Sequence, residues 1–173
     1  MQLSAAKISL LASDCRRFLE PHWLETHKSW GEETPDPFSR WMCRYSSIFL
    51  ALVFHERLGS GWTIVGGRPQ LQLNATPQGA VGIFATNGTW NDHCWLEGNG
   101  LVVDITADQF GYPPVIVTVV DDIRYEANLC ERDIESDLRK LRHRPTSWLT
   151  AWRTWEDSCF NYDGRAHCAI QPS

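Results

Sequence analysis

The chain has 173 residues, 43% of them hydrophobic, and it carries nine Trp and a formal net charge of −5. That length and apolar content predict a single domain over residues 1–173, with a sizeable core. An acidic chain without a basic stripe is a poor match for phosphate backbones, which argues against nucleic acid as the main partner. No apolar run reaches the roughly 18 residues of a membrane span, and the N-terminus lacks the apolar core of a signal peptide. We therefore expect a protein that is cytoplasmic as synthesised. Export without a cleavable signal, to a periplasm or a target cell, stays open.

The cysteines indicate buried or reactive thiols rather than a disulfide framework, because no two of them have CxxC spacing. They stand at positions 15, 43, 94, 130, 159 and 168. A bridge between Cys159 and Cys168, across the turn-like segment 161–164, stays open. The spacing of Cys159, His167 and Cys168 fits no usual zinc ligand pair, so we expect no metal and no cofactor.

Two helices are expected in the first third of the chain. Ser4 can cap a helix over 4–19, which Pro21 would end, and residues 26–38 then form a loop. Ser39 can cap a second helix whose apolar stripe stops at Gly59. Cys43 falls in the first turn or two of that second helix.

From Trp62 onward the pattern changes to short apolar runs separated by turn residues, which is typical of an antiparallel sheet. The expected strands are 62–66, 69–75, 79–85, 90–97, 101–106 and 115–120. Two helices should follow within about 129–157, one near 129–143 and one, capped by Thr146 or Ser147, near 147–157. The aromatic stripe of Trp148, Trp152 and Trp155 is expected to be core. The architecture is therefore α+β.

The position of Cys43 favours a reactive thiol. The amide groups at a helix N-terminus and the positive end of the helix dipole both stabilise a thiolate. The same amides can donate hydrogen bonds to an oxyanion. The alternative is that Cys43 is a small buried apolar residue, as most cysteines outside disulfides are.

The dipeptide Asn99-Gly100 predicts a type I′ hairpin turn. With that turn, His93, Trp95, Glu97, Val102, Asp104 and Thr106 share one face of the hairpin, and Cys94, Leu96, Val103 and Ile105 share the other. His93 and Asp104 are then diagonal neighbours that an imidazole and a carboxylate can bridge. Cys94 points away from His93, which makes Cys43 the better candidate for a nucleophile.

Three segments resemble, in this order, the Cys, His-x-Trp-x-Glu and Asp core of the transglutaminase-like and papain-like cysteine hydrolase superfamily. They are Met42–Ser47 at a helix start, His93–Glu97 and Val103–Thr106. The resemblance covers roughly residues 39–118. It implies a papain-like or transglutaminase-like core at about 39–120, with the Cys43 helix packed on an antiparallel sheet and further helices at both ends.

The resemblance implies that Cys43 is a nucleophile, His93 a general base and then acid, and Asp104 the residue that orients His93. No residue clearly corresponds to the upstream Gln that supplies an oxyanion donor in papain-type enzymes. Ser39, Trp41 or Asn91 could take that role. Trp95 and Gln109 are further candidates for the cleft, and Gln109 could instead shape a turn.

The implied reaction is acyl transfer through a thioester, on a peptide, protein or peptidoglycan-fragment substrate. Resolution by water would make the protein a peptidase, amidase or deamidase, such as a cell-wall enzyme or a leader peptidase of peptide maturation. Resolution by an amine would make it a transglutaminase. Two other interpretations stay open. The protein could be a binding module on the same fold without catalytic activity. It could also be a bacterial effector that is exported to a target cell, and it would then have a cognate inhibitor or immunity protein.

Overall fold

The computed structural model describes residues 4–70 and 79–160, except for the side chain of Phe160, and over these residues the fold is α+β as expected. Its helices are α1 (Ala5–Ser29), α2 (Cys43–Leu58), α3 (Glu135–Leu141) and α4 (His143–Phe160), with a short 3-10 helix at Ala107–Phe110. Its strands are β1 (Trp62–Gly67), β2 (Gly82–Phe84), β3 (Trp90–Asn91), β4 (His93–Gly98), β5 (Leu101–Asp104), β6 (Ile116–Val119), β7 (Tyr125–Glu126) and β8 (Leu129–Cys130). They form two antiparallel sheets, ordered β6-β5-β4-β1-β8 and β3-β2-β7.

The hairpin of β4 and β5 has the predicted turn and register. Asn99 and Gly100 both have positive φ, at 52° and 76°, as a type I′ turn requires. Gly98 pairs with Leu101 and Leu96 pairs with Val103. The expected division of the hairpin into two faces is therefore confirmed.

The larger sheet separates two hydrophobic clusters. The helix face of the sheet, defined by Cys94, Leu96, Val103 and Ile105, packs into the main core with side chains of all four helices. The opposite face, called here the histidine face, carries His93, Trp95, Val102 and Asp104. Trp95 and Val102 there belong to a smaller cluster that includes Ile83 of β2 and Tyr125 of β7. The second sheet thus covers the face that holds His93 and Asp104.

The first helix does not end at Pro21, as the sequence predicted, but continues to Ser29 with Pro21 inside it. An interior proline removes a backbone hydrogen bond and costs about 3 kcal/mol or more. The turns that follow Pro21 bury Trp23, Thr26 and His27. Fully burying one large apolar side chain contributes about 1.5–3 kcal/mol, so the burial of Trp23 offsets much of that cost.

The second helix begins at Cys43, and Gly59 ends it as predicted. The predicted cap was wrong: Met42 occupies the N-cap position without a side-chain hydrogen bond. The Ser39 hydroxyl instead donates to Asp108 Oδ1 at 2.6 Å. The first amide groups of α2 therefore have no side-chain cap, which leaves donors at the helix start.

The strands are shorter than the apolar runs that predicted them. The run 90–97 is divided at Asp92 between the two sheets, and the run 101–106 leaves the sheet after Asp104. The run 79–85 keeps only Gly82–Phe84 in a strand, and 115–120 keeps Ile116–Val119. Of the run 69–75, residues 71–75 lie outside the described residues. Strands β7 and β8 were not predicted, because each has only two residues and periodicity cannot show so short an element.

The predicted helix at 129–143 is largely wrong. Leu129 and Cys130 pair with β1 instead, and a helix begins only at Glu135. The next helix begins at His143, before the predicted caps, because Pro145 is tolerated in a first helical turn. Trp148 and Trp152 are buried and Trp155 packs partly buried against the same core, which confirms the core interpretation of that stripe.

Candidate functional site

His93 and Asp104 form a buried pair on the histidine face. The distance from His93 Nε2 to Asp104 Oδ2 is 2.7 Å, and the two side chains are 0% and 1% exposed. Because β4 begins at His93 and β5 ends at Asp104, the two side chains meet at the open end of the hairpin. The contact that strand register predicted is thus present.

Asp104 accepts hydrogen bonds on both carboxylate oxygens. Oδ2 also accepts from the Tyr125 hydroxyl at 3.0 Å, and Oδ1 accepts from the backbone N–H and the hydroxyl of Thr106. Burial alone would raise the pKa of Asp104, but the charge of His93 and these hydrogen bonds outweigh it and lower the pKa below its usual value of 3.8. The carboxylate is therefore held in its ionised form.

The other ring nitrogen of His93 has no partner. Among the described residues, nothing forms a hydrogen bond with His93 Nδ1, although the atom is buried. The imidazole ring of His93 packs against the rings of Trp95 and Phe110. The contact with Phe110 is edge-on, with 4.8 Å between the two ring centres. An imidazole whose Nε2 is hydrogen-bonded to a carboxylate, and whose Nδ1 has no hydrogen bond, can accept a proton at Nδ1.

Cys43 lies half-buried at the first position of α2, and it thus stands within the first turn or two, as the sequence predicted. Its thiol contacts the thiol of Cys94, which faces the helices from β4. Among the described residues, no hydrogen bond joins Cys43 to His93. The sequence did not predict that Cys43 would lie beside Cys94, because Cys94 was placed on the face away from His93 and Cys43 was expected to meet His93.

The two thiols shift each other's pKa in opposite directions. The hydrogen bond from Cys43 lowers the pKa of Cys94 to about 7, with further lowering by the positive charges of His93 and Arg44 and against the effect of burial. The same hydrogen bond, together with burial, raises the pKa of Cys43 well above its usual value. The more readily ionised thiol is therefore that of Cys94 and not that of Cys43, the reverse of what the position of Cys43 at a helix start predicts.

The loop before Cys43 is held by the 3-10 helix that follows β5. Trp41 has φ of 60°, a strained value for a residue other than glycine, and its backbone N–H donates to Gln109 Oε1 at 2.9 Å. Ser39 and the buried Arg16 both bond to Asp108, with two Arg16–Asp108 contacts of 2.7 Å. The segment after Asp104 thus fixes the position at which α2 begins.

The five candidates for the oxyanion site or the cleft all have partners inside the protein. Ser39 bonds to Asp108, and the Gln109 amide bonds to the backbone of Trp41 and of Thr106. The Asn91 amide donates to Thr89, and the Trp95 indole donates to Glu97 Oε1 at 2.8 Å. Trp41 has an exposed ring under the guanidinium of Arg40. The structure therefore brings Gln109 and Trp41 together beside Cys43, as parts of a clamp on the loop.

A cavity of about 730 Å³ lies next to Asp92, and its lining does not include Cys43, His93 or Asp104. Its lining includes Trp90, Asn91, Asp92, Arg68 and Asn128. Asp92 immediately precedes His93 and lies 3.7 Å from Arg44, the residue after Cys43. The cavity volume is in the range of small-molecule sites.

Sequence reasoning missed Tyr125 and Thr106 as partners of Asp104, and Arg44 as a neighbour of both thiols. Tyr125 was not identifiable because the long connection after β6 hides which face its strand covers. Thr106 was placed on the correct face but without a role. The open interpretations of Cys159 with Cys168, and of both with His167, involve residues outside the described part of the chain.

No protein-family model, no curated protein and no solved structure matches this chain. The described helices include none that is both long and apolar enough to cross a membrane. Within residues 4–70 and 79–160, no group of three or more His, Cys, Asp or Glu side chains is placed so that it could bind a metal ion.

Proposed function

We propose that this chain is a cysteine hydrolase that cleaves an amide or isopeptide bond, with Cys43 as nucleophile, His93 as general base and acid, and Asp104 orienting His93. The observation that carries the proposal is the buried His93–Asp104 pair, 2.7 Å apart, in which His93 Nδ1 has no hydrogen-bond partner among the described residues. A histidine held in this way needs only a thiol at Nδ1 to complete a triad. The papain-like or transglutaminase-like core belongs to the same proposal.

In the proposed first step, the Cys43 side chain turns from Cys94 toward His93, and Nδ1 takes the thiol proton. Catalytic hydrogen bonds often form only when substrate is bound, so the present Cys43–Cys94 contact is compatible with this step. The thiolate attacks the carbonyl carbon, and the uncapped amide groups at the start of α2 donate to the oxyanion. Those backbone groups take the role for which Ser39, Trp41 and Asn91 were candidates.

In the second step His93 gives its proton to the leaving amine, and a thioester remains on Cys43. Water, deprotonated by His93, then releases the acid. An amine in place of water would give transamidation, and the side-chain amide of Gln as substrate would give deamidation. The cavity beside Asp92 is the proposed substrate site, and its Trp90, Asn91 and Asn128 suit the backbone or sugar of a peptide or peptidoglycan fragment.

A catalytically idle binding module on the same fold is the second candidate. It is favoured by one observation: within the described residues Cys43 bonds to Cys94 and not to His93. The two candidates differ in whether His93 controls the reactivity of Cys43.

The test is the rate at which iodoacetamide labels each cysteine, followed by peptide mass spectrometry. Cys130 is the internal control, because it is also half-buried but lies on β8, where its thiol donates a hydrogen bond to Asp133. For a hydrolase, Cys43 should react much faster than Cys130, and His93→Gln should slow Cys43 alone. Equal rates for the two cysteines, or a Cys43 rate that His93→Gln leaves unchanged, would support the idle module.

A panel of peptide amides and peptidoglycan fragments then tests turnover. We expect hydrolysis that Cys43→Ala abolishes and that His93→Gln lowers by roughly 10²–10⁴-fold, the usual contribution of a general base. If the Cys43→Ala variant still hydrolysed these substrates, Cys43 would not be the nucleophile.

A further inference from the structure

The cavity beside Asp92 lies at the same end of the larger sheet as His93. Gly67 of β1 pairs with His93 of β4, so Arg68 and Asp92 are the next residues along the two strands. Both residues stand where their chain segments leave the larger sheet, and both line the cavity. The cavity therefore begins one residue away from the proposed general base.

The two sheets approach each other closely at this end. A Cβ at Gly67 would overlap the backbone nitrogen of Gly82 in β2, and a Cβ at Gly82 would overlap the carbonyl oxygen of Asn91. Glycine permits this close approach because it has no side chain. The backbone that carries Arg68 and Asp92 is thus packed against the second sheet on the residues next to both.

Arg68 is fixed at its backbone and at its guanidinium group. Its backbone N–H donates to Asn128 Oδ1 at 2.9 Å, and its carbonyl oxygen accepts from Asn128 Nδ2 at 3.0 Å. Its Nε donates to Asp92 Oδ2 at 3.0 Å. Within the described part of the chain, no group forms a hydrogen bond with Nη1 or Nη2 of Arg68. The outer edge of a positioned guanidinium is therefore available to a ligand.

The charge of Asp92 is shared between two arginines. Its Oδ2 lies 3.0 Å from Arg68 and 3.7 Å from Arg44, the residue after Cys43. Arg44 has a second carboxylate partner, Asp137, at 2.8 Å. Arg68 has no second partner among the described residues, so its charge is the one that a ligand in the cavity can use.

The chemistry of the lining indicates what such a ligand is. The N–H groups of Nη1 and Nη2 match the two oxygen atoms of a carboxylate, which a guanidinium binds through two parallel hydrogen bonds. Pro69, Trp90 and Leu129 give the cavity apolar walls, and the Trp90 ring packs against Phe84 with 5.3 Å between ring centres. A carboxylate on a small, partly apolar body fits these groups.

We propose that the cavity beside Asp92 is a carboxylate-binding subsite and that Arg68 is its recognition residue. The inference rests on the proposed function where it concerns catalysis: the substrate is then a peptide with a carboxylate near the amide that Cys43 attacks. The carboxylate comes either from a peptide C-terminus or from an acidic side chain, and both offer Arg68 the same pair of oxygen atoms.

The test is an NMR titration of the 173-residue chain with Cys43→Ala, which has no nucleophile and so leaves the ligand intact. The ligands are acetylated dipeptides, each as the free acid and as the C-terminal amide. A second set of amidated dipeptides carries a glutamate or a glutamine side chain, which separates the two sources of the carboxylate. In at least one set we expect the carboxylate to bind about tenfold more tightly than the matched amide, the effect of one charge-assisted contact.

Variants of Arg68 test whether this residue is responsible. Arg68→Gln should reduce the affinity for the carboxylate to that for the amide, and Arg68→Lys should restore only part of it, because an ammonium group lacks the planar fork. Arg139→Gln is the matched control, since Arg139 is also an exposed arginine with one carboxylate partner, Glu135, and does not line this cavity. It should leave both affinities unchanged.

Equal affinities for acid and amide across both sets, or no binding by any of them, would overturn the inference. Equal losses in Arg68→Gln and Arg139→Gln would do the same. Because binding is measured without turnover, a carboxylate preference in a protein that hydrolyses nothing would reject the hydrolase alone. Hydrolysis that shows no carboxylate preference would reject the subsite alone.

Discussion

The two faces of the larger sheet hold their reactive groups in opposite ways. On the histidine face, Asp104 has four hydrogen-bond donors and His93 is fixed between rings, so this pair has one geometry. On the helix face, Cys94 belongs to an apolar core and Cys43 packs against it, and each thiol shifts the pKa of the other. A polar pair in a low-dielectric interior must be fully bonded, whereas a thiol is a small apolar side chain that can rotate at little cost.

This difference suggests a division of labour for the proposed hydrolase. The base and its carboxylate are preorganised, and the nucleophile is the part that moves. The loop clamp of Gln109 and Asp108 sets where α2 begins, which limits how far Cys43 can move. Four measurements of stability test this contrast between the two faces.

The largest effect is expected from Asp104→Ala. It would leave His93 Nε2 and the Tyr125 hydroxyl buried without their partner, and breaking a buried ion pair in this way costs about 3–5 kcal/mol. Asp104→Asn keeps an acceptor oxygen and should cost less. The free energy of unfolding in urea measures both. Equal small losses for the two variants would show that the histidine face is not held by this carboxylate.

On the helix face, Gly66→Ala is expected to cost about 1–3 kcal/mol, the usual range for overpacking. The new Cβ would meet both the Cys94 sulfur and the His93 carbonyl oxygen at 2.9 Å. In a double-mutant cycle with Cys94→Ala the loss should shrink, because one of the two close contacts is removed. Strict additivity in that cycle would contradict the position of Cys94 against β1.

Acid should weaken the histidine face in a predictable window. The pKa of Asp104 is lowered below 3.8 in the folded state, so its contribution to stability is complete above that value and is lost as pH falls toward the lowered folded-state pKa. Asp104→Asn should therefore flatten the fall in unfolding free energy as the pH drops below 3.8. Urea titrations at several pH values test this, and an unchanged slope in the variant would rule out Asp104 as a source.

The smallest effect concerns Trp41, whose φ of 60° disfavours any residue with a Cβ. Trp41→Ala and Trp41→Gly both remove the exposed ring and its contact with Arg40, so their difference isolates the backbone. We expect Trp41→Gly to be more stable by about 1 kcal/mol. Equal stabilities would mean that the loop before Cys43 is not strained.

The hairpin shows how much of the candidate site was predictable. Asn99-Gly100 sets a two-residue turn, and strand alternation from that turn places His93 and Asp104 on one face. Every step in that inference is local, and the 2.7 Å contact confirms it. The helix that carries Cys43 was likewise predictable from its hydrophobic pattern, although its first residue and its cap were not.

Other features depended on contacts between distant segments. Tyr125 reaches Asp104 from a two-residue strand, and Pro21 stays within α1 because of what the later turns bury. Cys94 lies beside Cys43 only because the first turn of α2 packs against the start of β4. The turn, the register and the apolar stripe of α2 follow from the sequence alone, since they depend on the preferences of neighbouring residues. The surroundings of Cys43 and of Asp104 depend on the tertiary structure, since packing free energy selects those contacts among many that local preferences allow equally.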